Sequence, residues 1–135
     1  MSVPFVVPFY AGILALIYFF LTIRVARHRG RARIRLGSGG DAELERRIRA
    51  HGNFIEYVPL TLILLGFMEA QRNSMYVLHA LCICLLVGRI CHAIAISREG
   101  SAGPLRFIGM MLTGLVLIIA AIALIYDFFL VLPTI

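Results

Sequence analysis

Residues Glu45 to Pro59 read E-R-R-I-R-A-H-G-N-F-I-E-Y-V-P and run without interruption into the apolar segment Leu60 to Met68. Arg49, Asn53 and Glu56 stand at i, i+4 and i+7, so on a helix they drift only about 20° around the axis over two turns. Arg46 extends the stripe one turn earlier. A cation, an amide and a carboxylate thus share one face of a helix that is entering a membrane. Ionisable groups at that depth are costly, and they face a bundle interior, a partner or a water-filled site. Two readings follow: an interfacial cap in which Arg49 and Glu56 neutralise each other, or a binding site.

Composition supports the membrane setting. The 135 residues are 61% hydrophobic and 15% charged, with a mean hydropathy of +0.93, whereas soluble domains carry about a quarter charged residues. The length predicts a single domain, residues 1–135. All thirteen basic residues are arginine, nine of them between Arg24 and Arg49, and the net charge is +6. A basic excess this local points to topology, anionic headgroups or an anionic ligand. Nucleic acid is the weaker partner, because the arginines adjoin apolar spans and lack an aromatic platform on which bases could stack. Cys82, Cys84 and Cys91 share one apolar segment. A C-x-C pair on a helix aims its sulfurs about 200° apart, which suits neither a tetrahedral metal site nor a disulfide framework. They read as small buried hydrophobes.

Four spans emerge, at about 3–23, 54–70, 75–96 and 107–126, with polar loops at 24–48 and 97–106. Val3 to Ile23 carries no charge over 21 residues, enough to cross a hydrocarbon core of about 30 Å. Its basic residues follow the apolar run and no small-residue cleavage site closes it, so it reads as a retained span, not a signal peptide. Asp41 is the expected N-cap of the second helix. Pro59 should kink that helix and free a carbonyl. The short turn Gln71-Arg72-Asn73-Ser74 makes spans two and three antiparallel neighbours, and Gly109 and Gly114 suit close packing of the fourth. The tail from Asp127 to Ile135 reads as the end of that helix. Loops one and three hold eleven of the thirteen arginines when Arg46 to Arg49 are counted with loop one. The positive-inside rule therefore puts both loops in the cytoplasm and both termini outside. Most arginines between Arg24 and Arg35 read as topogenic charge and lipid contact, with anion binding the alternative.

Depth along each helix gathers the polar groups. Asn53 lies ~6 Å and Glu56 ~10 Å beyond Arg49, while His92 lies ~9 Å and Arg89 ~13 Å inward from Arg98. Arg24 ends span one and Arg106 begins span four. Every span thus offers a polar group to the cytoplasmic half, and nothing comparable is expected in the outer half. An arginine mid-span costs about 2.5–3.5 kcal/mol on insertion scales, so Arg89 should be paired inside the bundle, with Glu56 the obvious partner. His79, near the other end of span three, reads as interfacial. The cytoplasmic cluster suits a small zwitterionic or anionic ligand, since arginine forks onto carboxylates and glutamate accepts from ammonium. It would also lower the pKa of a thiol held beside an arginine.

R-A-H-G-N-F-I-E-Y-V-P-L, then V-G-R-I-C-H-A, then G-P-L-R, in a four-span chain of this size, resembles the MAPEG family, the membrane-associated proteins of eicosanoid and glutathione metabolism. The likeness covers nearly the whole chain, and R-A-x-x-N-x-x-E-x-x-P is its specific part. It implies an all-α membrane protein, a homotrimer of four-helix bundles with glutathione bound as cosubstrate between neighbouring subunits near the cytosolic side. Carried over by position, Arg49, Asn53 and Glu56 match glutathione-contacting residues. Tyr57 matches a tyrosine that follows the glutamate, His92 a histidine or tyrosine lining the site, and Arg24 an arginine ending the first helix. Arg106 resembles the arginine that stabilises the thiolate, the one catalytic residue implied.

Three departures shape the expected chemistry. Ile96 stands where the eicosanoid enzymes carry a tyrosine, Phe107 where the prostaglandin synthase has a serine, and Gly52 where that enzyme has an arginine. The resemblance therefore implies a compact bacterial-like glutathione transferase or peroxidase acting on lipophilic electrophiles, in the inner membrane. The alternative is a family scaffold that binds without turnover. A transporter finds little support, because no pair of broken helices is present.

Overall fold

The computed structural model describes residues 5–71, 73–98 and 103–131. Four helices make up its regular structure: α1 (Val6–Ala32), α2 (Ala42–Ala70), α3 (Met75–Ser97) and α4 (Pro104–Val131). Each contains a stretch long and apolar enough to cross a membrane. The start of the first expected span, Arg72 of the expected turn, the centre of the third loop (99–102) and the last four residues lie outside the described residues.

Helix ends differ from span ends, for reasons of local chemistry. α1 runs on past Ile23 to Ala32, because arginine propagates a helix nearly as well as alanine while ending the apolar run. It stops at Arg33, whose left-handed backbone (φ 55°) returns its N–H to Arg29 O. Gly37, Gly39 and Gly40 also take positive φ, and they carry the chain to α2. Asp41 caps α2 as expected, its Oδ1 accepting from the Leu44 N–H at 2.9 Å. α4 starts at Pro104, a residue suited to the first helical position because its missing N–H is not needed there.

The second Asp41 oxygen meets His28 Nε2 at 2.7 Å. That contact, and then the Leu44 N–H, holds the Asp41 carboxyl below its ordinary range. A depressed carboxylate stabilises the fold above its unfolded pKa of about 3.9 and ceases to do so as pH falls through the folded value. Amide exchange at the first turn of α2 should therefore accelerate below about pH 4, and Asp41→Asn should lose that acid-dependent step.

Leu14, Leu21, Phe54, Leu65, Leu78, Leu85 and Val116 are buried together between the helices. Cys82 joins them as a free, buried thiol, while Cys84 and Cys91 are half-buried. Phe19, Phe20, Leu60, Ile63, Phe67, Ile118 and Ile122 stay exposed, as lipid-facing side chains of a membrane bundle would. The tightest helix contact is between α3 and α4. A Cβ built on Gly109 would lie 2.7 Å from Gly88 O and 2.8 Å from both His92 Cβ and His92 N. Gly114, by contrast, has nothing within 4 Å of such a Cβ, so only the first of the two expected packing glycines closes a contact within the chain.

The end of the bundle away from Arg24 is not apolar throughout, which corrects the sequence expectation. Glu69 is buried at 8% exposure. Its Oε1 accepts from the Phe5 and Val6 N–H groups at 2.6 and 2.5 Å, and its Oε2 from Val7 N–H at 2.8 Å. α1 has Phe5 at its N-cap position, with no side-chain cap of its own and no acidic first turn. Glu69 supplies both the missing acceptors and the negative charge that a helix N-terminus favours. Nearby, Tyr10 Oη and His79 Nδ1 share a hydrogen bond at 3.0 Å. Asn73 Nδ2 donates to Asp127 Oδ2 at 3.1 Å.

Candidate functional site

The polar face of α2 is the base of the site. Because α2 is capped by Asp41 and continues unbroken through Pro59, Glu45, Arg49, Gly52 and Glu56 keep helical spacing. They open onto a cleft of about 750 Å³ that is also lined by Asn53 and, from α4, by Arg106. Ile96 and Arg98, at the end of α3, close it. Arg106 reaches it from the first turn of α4, where its own N–H bonds Gly103 O at 3.0 Å.

The interfacial-cap reading is not what the geometry gives. Arg49 Nε meets Glu45 Oε1 at 3.2 Å, an exposed i,i+4 pair. Glu56 forms no ion pair among the described residues. An exposed pair of this kind contributes about 0–1 kcal/mol, so a ligand carboxylate could replace Glu45 at small cost. The Glu56 carboxylate stays open to a cation.

Arg89 lies behind the cleft and is fully buried. Its expected partner was Glu56; instead its Nη2 donates to Asn53 Oδ1 at 2.6 Å. Asn53 lies about one helical turn nearer Arg49 than Glu56 does. The Phe54 and Tyr57 rings lie 5.7 and 5.9 Å from the guanidinium carbon. His92 Nδ1 is 3.4 Å from Nη2. Nε and Nη1 have no hydrogen-bond partner among the described residues. Holding Asn53 by its oxygen leaves the Asn53 amide NH₂ free to donate into the cleft.

Of the seven residues the sequence singled out, Arg49, Asn53, Glu56 and Arg106 line one cleft. Tyr57 and His92 stand behind it around Arg89. Arg24 does not join them: its Nη1 donates to Ser97 Oγ at 3.0 Å, its carbonyl accepts from Arg47 at 3.2 Å, and its guanidinium lies over Phe20 at 5.8 Å. Sequence reasoning did not assign Glu45 or Arg98 to the site. The signal for Glu45 was its i,i+4 spacing to Arg49; Arg98, at the membrane boundary, gave none.

Chemically, the cleft offers guanidiniums to anionic groups, a free carboxylate to an ammonium group, and Arg106 to an anion forming on a bound molecule. The comparisons agree with this membrane setting. Over 83 residues the chain is 39% identical to inner membrane protein YecN of Escherichia coli (strain K12), covering 62% of this chain and 63% of that protein. The YecN of strain O6:H1 matches equally. The match thus spans less than two thirds of the length of these relatives. The model of the MAPEG family matches residues 7–126, nearly all of the four-helix unit, and the chain belongs to that family.

Proposed function

We propose that this protein is a membrane-bound glutathione-dependent transferase or peroxidase that conjugates lipophilic electrophiles by thiolate attack. The observation that supports it most is the meeting of Arg49, Asn53 and Glu56 from α2 with Arg106 from α4 around one cleft. Glutathione has two carboxylates, an ammonium group and a thiol. Arg49 would fork onto a carboxylate, Glu56 would accept from the ammonium group, and Asn53 would donate to a carbonyl. Arg106 would stabilise the sulfur once its proton has left to solvent. The thiolate then forms a bond to the electrophilic carbon as the leaving group departs with its electron pair.

The four helices form an antiparallel bundle in this reading, and three copies assemble around sites shared between neighbours. Arg24, turned away from its own chain's cleft, is the residue such sharing would bring into use. Like its relative YecN, the protein would reside in an inner membrane, with the arginine-rich loops cytoplasmic and both termini periplasmic. Its partners are then a small thiol, a lipophilic substrate, membrane lipids and its own copies.

Calorimetric titration of the detergent-purified protein with glutathione tests this directly. The wild type should bind in the micromolar-to-millimolar range, and Arg49→Ala and Glu56→Gln should each weaken binding at least tenfold. A folded wild type that takes up no glutathione would sink the proposal. The second reading, a scaffold without turnover, gains if Arg106→Ala leaves both binding and the absence of turnover unchanged across a panel of electrophiles. Loss of conjugation with binding retained in Arg106→Ala would favour the enzyme.

A further inference from the structure

The arginine-rich end of α1 forms a concavity that charge-driven topology alone does not require. A topogenic run needs only positive charge on one side of a span. Here the helix continues into the run, and the chain then folds back on itself. Ile34 N–H bonds Arg29 O at 3.2 Å, and Arg29 Nη1 donates to Gly37 O at 2.8 Å. The left-handed turn at Arg33 (φ 55°) and the packing of Gly39 against the Ile34 side chain (3.1 Å to a built Cβ) hold the fold-back in shape. The result is a concavity of about 560 Å³ lined by Arg29, Arg33 and Arg35 with Gly30 and Ile34 between them.

Among the described residues, no carboxylate lines it. The nearby acids are engaged elsewhere: Asp41 with His28, Glu43 with Arg47 and Glu45 with Arg49. Arg33 and Arg35 have no anionic partner among the described residues. The position along α1 indicates the kind of anion. Arg24 closes the apolar run, and Arg29 follows five residues later, ~7.5 Å along the axis. The headgroup layer is about 5–7.5 Å deep on each side of the hydrocarbon core, so Arg29 stands at its outer edge, from which a long side chain can reach back to lipid phosphates. Guanidinium is the side chain best matched to a phosphate diester, on which it can place paired donors.

We infer that Arg29, Arg33 and Arg35 form a binding site for the phosphodiester headgroup of an anionic phospholipid, separate from the cleft between α2 and α4. Native mass spectrometry of the purified full-length protein, titrated with dioleoyl phosphatidylglycerol or dioleoyl phosphatidylcholine, tests it. Phosphatidylglycerol should bind at least fivefold more tightly. The triple variant Arg29→Gln/Arg33→Gln/Arg35→Gln should fall to the phosphatidylcholine level. Arg27→Gln/Arg31→Gln, which removes charge outside the cradle, should change binding less than twofold; circular dichroism and size should match the wild type in both variants. Equal loss in the two variants, or no lipid preference in the wild type, would overturn the site. Displacement of the lipid by millimolar inorganic phosphate would instead assign it to a free phosphate and overturn the lipid reading.

Discussion

Gly109→Ala should lower the thermal midpoint of the protein by several degrees and, under the proposed function, weaken glutathione binding with it. The added methyl would sit 2.7 Å from Gly88 O and 2.8 Å from the His92 backbone nitrogen. Those are main-chain atoms of α3, which cannot turn aside as a flexible side chain can. The helices must separate or rotate, and such overpacking costs about 1–3 kcal/mol. Arg106 lies one turn before Gly109 on α4, so a retreat of α4 carries Arg106 away from Arg49 and Asn53. Gly114→Ala is the matched control. Nothing lies within 4 Å of its Cβ, and replacing a helical glycine by alanine is stabilising by about 0.5–1 kcal/mol where space allows. Thermal unfolding in detergent of the two variants beside the wild type decides the matter. Two indistinguishable curves would mean that the α3–α4 contact is looser than the geometry shows.

The second large effect is expected at Glu69. Glu69→Leu removes the acceptor of three backbone N–H groups at once, two of them in buried contacts. Each donor left unsatisfied costs about 1–3 kcal/mol, so the amino end of α1 should fray. Glu69→Gln retains one carbonyl oxygen but replaces the other acceptor with a donor, and it should lie between the wild type and the leucine variant. Hydrogen exchange at the amides of Phe5, Val6 and Val7 reports the change locally. Wild-type protection in Glu69→Leu would show that these amides have another acceptor and that the clamp is dispensable.

The two ends of the bundle were unequally legible in the sequence. At the Arg49 end, ionisable residues recur at helical spacing, and periodicity alone put Arg49, Asn53 and Glu56 on one face. Their meeting with Arg106 followed from comparing depths on different helices. The partner of Arg89 did not follow, because depth ranks candidates along the axis but says nothing of rotation about it. Asn53 and Glu56 differ by about one turn in height, and in the folded bundle the guanidinium bonds the amide. Glu69 was missed for a different reason. Its three partners are backbone groups of Phe5 to Val7, which have no side-chain signature. Two deficits pointed to it all the same: an acid at the end of an apolar run, and a first helix that begins without a cap. The extension of α1 to Ala32 does not follow from hydropathy, because arginine ends an apolar stretch without ending a helix.

The enclosure of Arg89 also bears on how the chain is made. Among the described residues, every hydrogen-bond or ring partner of its guanidinium, apart from His92 on its own helix, comes from α2: Asn53 by hydrogen bond, Phe54 and Tyr57 by ring contact. In a chain synthesised from its amino terminus, α2 is already in place when α3 emerges. The least insertable residue of α3 thus meets its partners as it leaves the ribosome, and the two helices can enter the bilayer as a hairpin. A transplanted α3, expressed without α2, would have to leave Arg89 facing lipid or remain outside.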